Sequence, residues 1–210
     1  MSDIRVGSMV LSPCATNCYY VYHEGSNECI VIDPADRGEY IYDSLKAKGL
    51  VVKNILITHG HFDHIWGCSK LRSMSEAPVY ALDEEQDVLE SSRLNVSEDV
   101  GRACTVKVST YLHDMDVIEL NGFKIQVLST PGHTHGSCCY YFISDGILFS
   151  GDTLFQGSVG RTDLPTGSMA KLHESLIGKL DALPNDTVVY PGHGDSTTID
   201  YEKRYNPFWN

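Results

Sequence analysis

Apolar residues recur along the chain in two rhythms, short alternating or continuous runs and helical spacing, which divide it into strands and helices. Val6–Leu11 reads as a strand, and Cys18–His23 and Cys29–Asp33 flank a Gly25-Ser26-Asn27 turn, a hairpin signal. Residues 39–49 follow helical spacing and stop at Gly49. Asn54–Thr58 is almost wholly apolar, which implies burial on both faces. A histidine-rich loop then leads into a helix over Ile65–Met74, and a strand, Val79–Ala81, precedes an acidic helix at Asp83–Ser91. In the second half, strands at Val117–Leu120 and Phe123–Ser129 lead to another histidine-containing loop. Ser137–Ile143 and Ile147–Ser150 form a further hairpin, and a helix at Met169–Leu180 precedes the strand Val188–Pro191. Residues 92–115 are the least periodic, and read equally as a lid or as an irregular connector.

One stretch echoes another. Asn17-Cys18-Tyr19-Tyr20-Val21-Tyr22, a turn and Ile30-Val31-Ile32-Asp33 match Ser137-Cys138-Cys139-Tyr140-Tyr141-Phe142, a turn and Ile147-Leu148-Phe149-Ser150-Gly151-Asp152. Two similar halves, each a sheet backed by helices, would stack as a four-layer αββα sandwich of the α/β class. Chance likeness between two hairpins is the competing reading. The length of 210 residues fits one domain spanning 1–210.

A formal charge of −12 disfavours nucleic acid as a partner, and a solvated acidic surface is its plainest meaning. No apolar run approaches the length of a bilayer span, so no membrane partner is expected. The start, MSDIRVGSMVL, lacks the plan of a signal peptide, so a cytoplasmic location is expected. Seven cysteines without a CxxC pair fit reduced, mostly buried thiols.

The chemistry concentrates in His59-Gly60-His61-Phe62-Asp63-His64, directly after a buried strand. His59 and His61 point the same way in extended chain and can share a metal ion. A turn into the following helix aims Asp63 and His64 elsewhere, toward a second one. Gly60 removes bulk where the backbone passes the ions. Three further candidates end predicted strands, each directly after a glycine: His133, Asp152 and His193. Imidazole with carboxylate suits zinc, iron or manganese. The other histidines, His23, His113, His135 and His173, lack this setting and read as surface or core residues.

These residues resemble the metallo-β-lactamase superfamily, whose pattern of His-x-His-x-Asp-His, His, Asp and His is matched at all seven positions. The resemblance implies that fold, with two similar mixed sheets flanked by helices. It also implies that His59, His61 and His133 hold one ion, Asp63, His64 and His193 the other, and Asp152 bridges both. Two divalent ions per chain are expected, zinc first, with iron or manganese as alternatives. The commonest secreted zinc β-lactamases have a cysteine where Asp152 stands, which counts against antibiotic hydrolysis. Gly151-Asp152-Thr153-Leu154-Phe155, Gly160-Arg161-Thr162-Asp163 and Arg204-Tyr205-Asn206-Pro207 are similar to short bacterial members of the glyoxalase II branch, the hydroxyacylglutathione hydrolases. That branch's extra helical domain, which grips glutathione, is not expected in the short stretch after His193. Where it has a Lys-Phe-Tyr substrate segment, this chain has Arg161-Thr162-Asp163. Arg161 either offers a cation to a substrate carboxylate or simply pairs with Asp163.

The expected activity is hydrolysis of a small thioester such as an S-2-hydroxyacylglutathione. Two ions about 3.5–4 Å apart share a water, lower its pKa from 15.7 toward roughly 7, and so provide a bridging hydroxide. Asp63, besides acting as a ligand, is the candidate to orient that nucleophile or take its proton. The alternatives are a persulfide dioxygenase, whose branch holds one iron with two His and one Asp, and a lactone hydrolase. A non-catalytic metal module is disfavoured, because closed structural zinc sites prefer four ligands rich in cysteine.

Overall fold

Two six-stranded mixed sheets stack face to face in the computed structural model, which describes residues 3–209. The first sheet runs β1 (Ile4–Leu11), β2 (Thr16–His23), β3 (Glu28–Ile32), β4 (Val51–Leu56), β5 (Val79–Leu82) and β6 (Thr110–Leu112). It is antiparallel from β1 to β3 and parallel from β3 to β6. The second begins with β7 (Val117–Leu120), β8 (Phe123–Ser129), β9 (Cys138–Phe142) and β10 (Ile147–Gly151). A two-stranded ribbon, β11 (Leu154–Phe155) with β12 (Ser158–Val159), follows outside it. The chain then re-enters as β13 (Val188–Pro191), parallel to β10, and β14 (Thr197–Thr198). The helices are α1 (Gly38–Ala47), α2 (Phe62–Ile65), α3 (Cys68–Ser75), α4 (Gln86–Glu90), α5 (Met169–Gly178) and α6 (Ile199–Tyr205).

Period-2 alternation within apolar strands builds the layers. Cys29 and Val31 of β3 face α1 and α3, where they meet Ile41, Leu45 and Leu71, while Ile30 and Ile32 face the second sheet. On β4, Ile55 faces the helices and Leu56 the other sheet, as expected of a strand buried on both sides. Between the sheets, Leu56 and Ile30 pack with Phe123, Tyr140 and Phe149, and the Tyr140 hydroxyl donates to Ile57 O at 2.9 Å across the gap. A third cluster seats Leu172 and Leu176 of α5 and Ile199 of α6 on Leu148 and Val189. Each fully buried side chain of this size contributes roughly 1.5–3 kcal/mol. The result is the αββα sandwich. No helix among the described residues is long and apolar enough to cross a membrane.

The echo between the halves is architectural. The β2–β3 hairpin is followed by α1 and the parallel strand β4, and the β9–β10 hairpin by α5 and the parallel strand β13.

Several boundaries shift. The expected helix at Ile65–Met74 is two helices, because Gly67 N bonds to Ala35 O and breaks the run. The acidic helix begins as a 3-10 turn, Asp83–Glu85, before α4. Residues 92–115 form an irregular connector that ends in β6: Phe62 N donates to Asn95 O, and Trp66 Nε1 to Arg102 O, so the connector is clamped to the histidine-rich segment. Helix α6 lacks an apolar stripe because its inward anchor besides Ile199 is Glu202, which accepts from Thr197 Oγ1, Asn206 Nδ2 and Gly157 N.

Candidate metal centre

Every chemistry-bearing loop leaves the carboxyl end of a strand along one edge of the sandwich. The segment 58–64 follows β4, His133 follows β8, Asp152 follows β10 and His193 follows β13. The structure brings all seven candidate residues together. Donor atoms of His59, His61 and His133 lie within 4.8 Å of one another, and so do those of Asp63, His64 and His193. Asp63 and His64 reach the second group because α2 starts at Phe62 and turns them away from His59 and His61. Asp152 lies between the groups, with Oδ2 at 3.5 Å from His133 Nε2 and 3.4 Å from His193 Nε2, and Oδ1 at 3.3 Å from His64 Nε2. Gly192 permits this approach, since a Cβ there would stand 2.2 Å from Asp152 Oδ1.

Four of the five histidines are oriented from behind. His133 Nδ1 bonds to Arg161 O at 2.7 Å, His193 Nδ1 to Cys14 O at 3.1 Å and His64 Nδ1 to Asp33 Oδ2 at 2.9 Å. His59 Nδ1 lies 3.1 Å from Thr58 Oγ1, whose own proton goes to Asp33 Oδ2 at 2.6 Å. In each neutral ring the outer nitrogen therefore donates, and Nε2 presents a lone pair to the common centre. This is the usual arrangement of metal-ligating imidazoles. His59 Nε2 and His61 Nε2 are buried without any hydrogen bond. Buried polar groups are seldom left so. With its Nδ1 donating to Arg161 O, His133 accepts at Nε2 from His61 Nδ1 at 2.7 Å, a bond that a cation held by both nitrogens would replace. The donor set and its orphaned atoms fit two divalent ions.

Electrostatics divides the centre. Burial lowers His59 well below its usual value, lowers His133, and takes His61 to about 3, with neighbouring imidazoles adding to the effect on His59 and His61. These three are neutral and ready to coordinate. Burial also acts against a charged His64 and His193, but Asp152 and Asp63 outweigh it, raising His64 well above its usual range and His193 to about 9. Desolvation opposes ionisation of Asp63, yet His64, His193 and Thr16 hold it at about 2. In the metal-free protein His64 and His193 thus carry protons at neutral pH, where a cation would sit. Filling the Asp63–His64–His193 group should release protons, and its affinity should rise as pH climbs through about 9, where His193 gives up its own. Calorimetric titration in buffers of differing ionisation enthalpy checks this; a proton-neutral second binding event would contradict it.

Arg161 stands at the rim, its guanidinium paired with Asp163 at 2.7 and 2.8 Å, and the side chain is exposed. Of the other histidines, His23 pairs with Asp3 and stacks on Phe123, His113 pairs with Asp83, and His135 with Asp87. His173 lines an apolar groove beside α5. None of the four joins the centre.

Some contributors carry no motif. Thr16 donates to Asp63 Oδ2 at 2.6 Å, and Asn17 Nδ2 holds Pro191 O and Gly194 O at 3.0 and 2.9 Å, steadying the His193 loop. Asp33 was visible only as the end of a hairpin matching the one that ends at Asp152. Gly60 makes room for a helix rather than for the centre, as its Cβ would meet Val88 Cγ1 at 2.8 Å. Cys14, exposed unlike most of the free thiols, lines the cavity over the centre with Phe62, Leu164 and Arg161. That cavity is about 180 Å³.

The family model described as "Metallo-beta-lactamase superfamily" matches residues 11–193, a span from the end of β1 to the last candidate ligand. The chain belongs to this superfamily. Among superfamily relatives, it is 37% identical over 204 residues to the probable metallo-hydrolase YqgX of Bacillus subtilis, covering 96% of each chain. It is 33% identical over 200 residues to the hydroxyacylglutathione hydrolase GloC of Haemophilus influenzae, covering 92% of each. The solved structure of the BLEG-1 B3 metallo-β-lactamase superposes with TM-score 0.92 at 37% identity, covering 98% of this chain and 99% of that one. TTHA1623 in a di-iron-bound form gives 0.84 at 35%, covering 96% and 99%. This chain is accordingly a member of a metallo-hydrolase superfamily with a candidate His/Asp metal centre.

Proposed function

We propose that the protein is a dinuclear hydrolase of small acyl thioesters of the S-2-hydroxyacylglutathione type. The observation that carries this reading is Asp152, whose two oxygens face both groups of donors and make one centre of them. Likeness to GloC supports the substrate class. Divalent ions in such a centre supply Lewis acidity and lower the pKa of coordinated water toward neutrality. Asp63, held ionised by its neighbours and fixed in orientation by Thr16, accepts a hydrogen bond from the attacking water and so aims it at the acyl carbon. The cavity of about 180 Å³ is smaller than the 300 Å³ or more of a typical ligand pocket. It accommodates the acyl end, while the thiol portion lies along the rim past Arg161, Leu164 and Phe62. Of the metals, the imidazole-rich donor set suits zinc, and the di-iron form of TTHA1623 favours iron as the other outcome.

Hydrolysis of S-lactoylglutathione by metal-quantified protein, compared with other thioesters, lactones and a chromogenic β-lactam, tests the proposal. Preference for the thioester supports it. Preference for the β-lactam would move the reading to amide-ring hydrolysis, which the likeness to BLEG-1 favours. One iron per chain with oxygen uptake on persulfide would replace it altogether. Arg161→Met should raise KM for thioesters bearing a free carboxylate by up to about fivefold with kcat little changed, since an exposed pair is worth roughly 0.2–1 kcal/mol. A kcat loss at unchanged KM would remove Arg161 from substrate binding.

A further inference from the structure

Glu85 takes no part in the chemistry described above, yet it is 1% exposed, and both of its oxygens are committed to the loops that carry three of the ligands. Oε1 accepts from Gly60 N at 2.7 Å, between His59 and His61. Oε2 accepts from Gly136 N at 3.0 Å and from Thr134 Oγ1 at 2.9 Å, just beyond His133. We propose that Glu85 is a positioning residue that sets the distance between the His59–His61 loop and the His133 loop, and thereby the affinity of that trio for its ion.

Glycine packing supports this independently of the hydrogen bonds. A Cβ on Gly136 would stand 2.3 Å from Glu85 N and 2.4 Å from Glu84 C, and one on Gly60 would stand 3.2 Å from Glu85 Oε1 and from Leu89 N. Both loops thus rest directly on the short segment that contains Glu85. The segments lie 25 and 51 positions from it in sequence, so no local turn fixes their separation; a backbone bond from Cys138 N to Thr58 O ties their bases at 2.9 Å, and the carboxylate joins them nearer the ligands. Burial pushes this carboxyl up to about 8 in spite of its three donors. The Thr134–Ser137 hydroxyl pair, at 2.6 Å, can reverse its donation and satisfy either protonation state.

Glutamine has the right shape but only one acceptor oxygen, and its amide would confront a backbone N–H with another donor. The inference rests on the two-ion reading, so wild type and variants are titrated side by side with cobalt(II), using its visible absorption to separate the two coordination environments. Glu85→Gln is expected to weaken binding at the His59–His61–His133 trio by about 10–100-fold, the usual effect of losing a group behind a ligand, and to alter the spectrum of that ion. Binding at Asp63–His64–His193 should stay within about twofold. A merely structural role would lower thermal stability and leave both affinities and spectra unchanged in the folded variant, which would overturn the proposal. If Glu85→Gln does not fold, Thr134→Val removes one of the three donors and should weaken the same trio selectively; unchanged affinity there overturns it equally. Failure of the wild type to take up two ions would refute the dinuclear reading itself.

Discussion

Asp152→Ala is expected to lose bound metal and hydrolytic activity together, with kcat/KM falling by about 10³-fold or more. Asp152 lies within 3.5 Å of histidines from both groups. Without it, His64 and His193 lose an acid that holds their pKa values up, and the two groups lose their common oxygen donors. Lewis-acid stabilisation is worth several kcal/mol, and each 1.36 kcal/mol is tenfold in rate. The paired measurements are metal content by elemental analysis and thioester hydrolysis. An active, metal-free variant would refute the scheme, and a metal-replete, inactive one would shift Asp152 from holding metal to acting on substrate.

The second large effect belongs to Asp33→Ala, a residue that touches no proposed substrate. Asp33 accepts from Thr58 N at 2.8 Å, Thr58 Oγ1 at 2.6 Å and His64 Nδ1 at 2.9 Å, and is buried. Alanine leaves these donors unpaired in a dry environment, where each costs about 1–3 kcal/mol. A net loss of roughly 3 kcal/mol would lower Tm by about 6–12 °C in a chain of this size. Freed from Asp33, His64 no longer has one nitrogen fixed toward the centre, so binding at Asp63–His64–His193 should weaken by about 10–100-fold. Asp33→Asn, which retains an acceptor, should fall between wild type and alanine. Thermal melts and metal titration decide it: a variant with native Tm and native affinity would show that His64 is held by packing alone.

The fold was legible where a strand or helix carries its own signal. Val117–Leu120, Phe123–Ser129 and Val188–Pro191 need only local pattern and lie where that pattern puts them. Asn54–Thr58 announced burial on two faces because β4 is covered by helices on one side and by a sheet on the other. Helix α6 and β6 stayed hidden: the first is anchored by the charged Glu202, and the second is three residues that pair with β5 at the end of a connector clamped to the histidine-rich segment. The candidate ligands could be found because each stands beside glycine or in a dense histidine motif. The residues behind them could not. Thr16, Asp33, Thr58 and Glu85 act through tertiary contacts spanning 25 to 51 positions; Asp33 shows only as a hairpin end and Thr58 only as the residue before the motif, and neither position reveals what it holds.

The direct test of the central claim is anomalous diffraction from crystals of metal-loaded protein, collected at the absorption edge of the bound element. Two peaks are predicted, one among His59, His61 and His133 and one among Asp63, His64 and His193, with Asp152 between them. A single peak confined to one group, or peaks away from these residues, would contradict a shared two-ion centre.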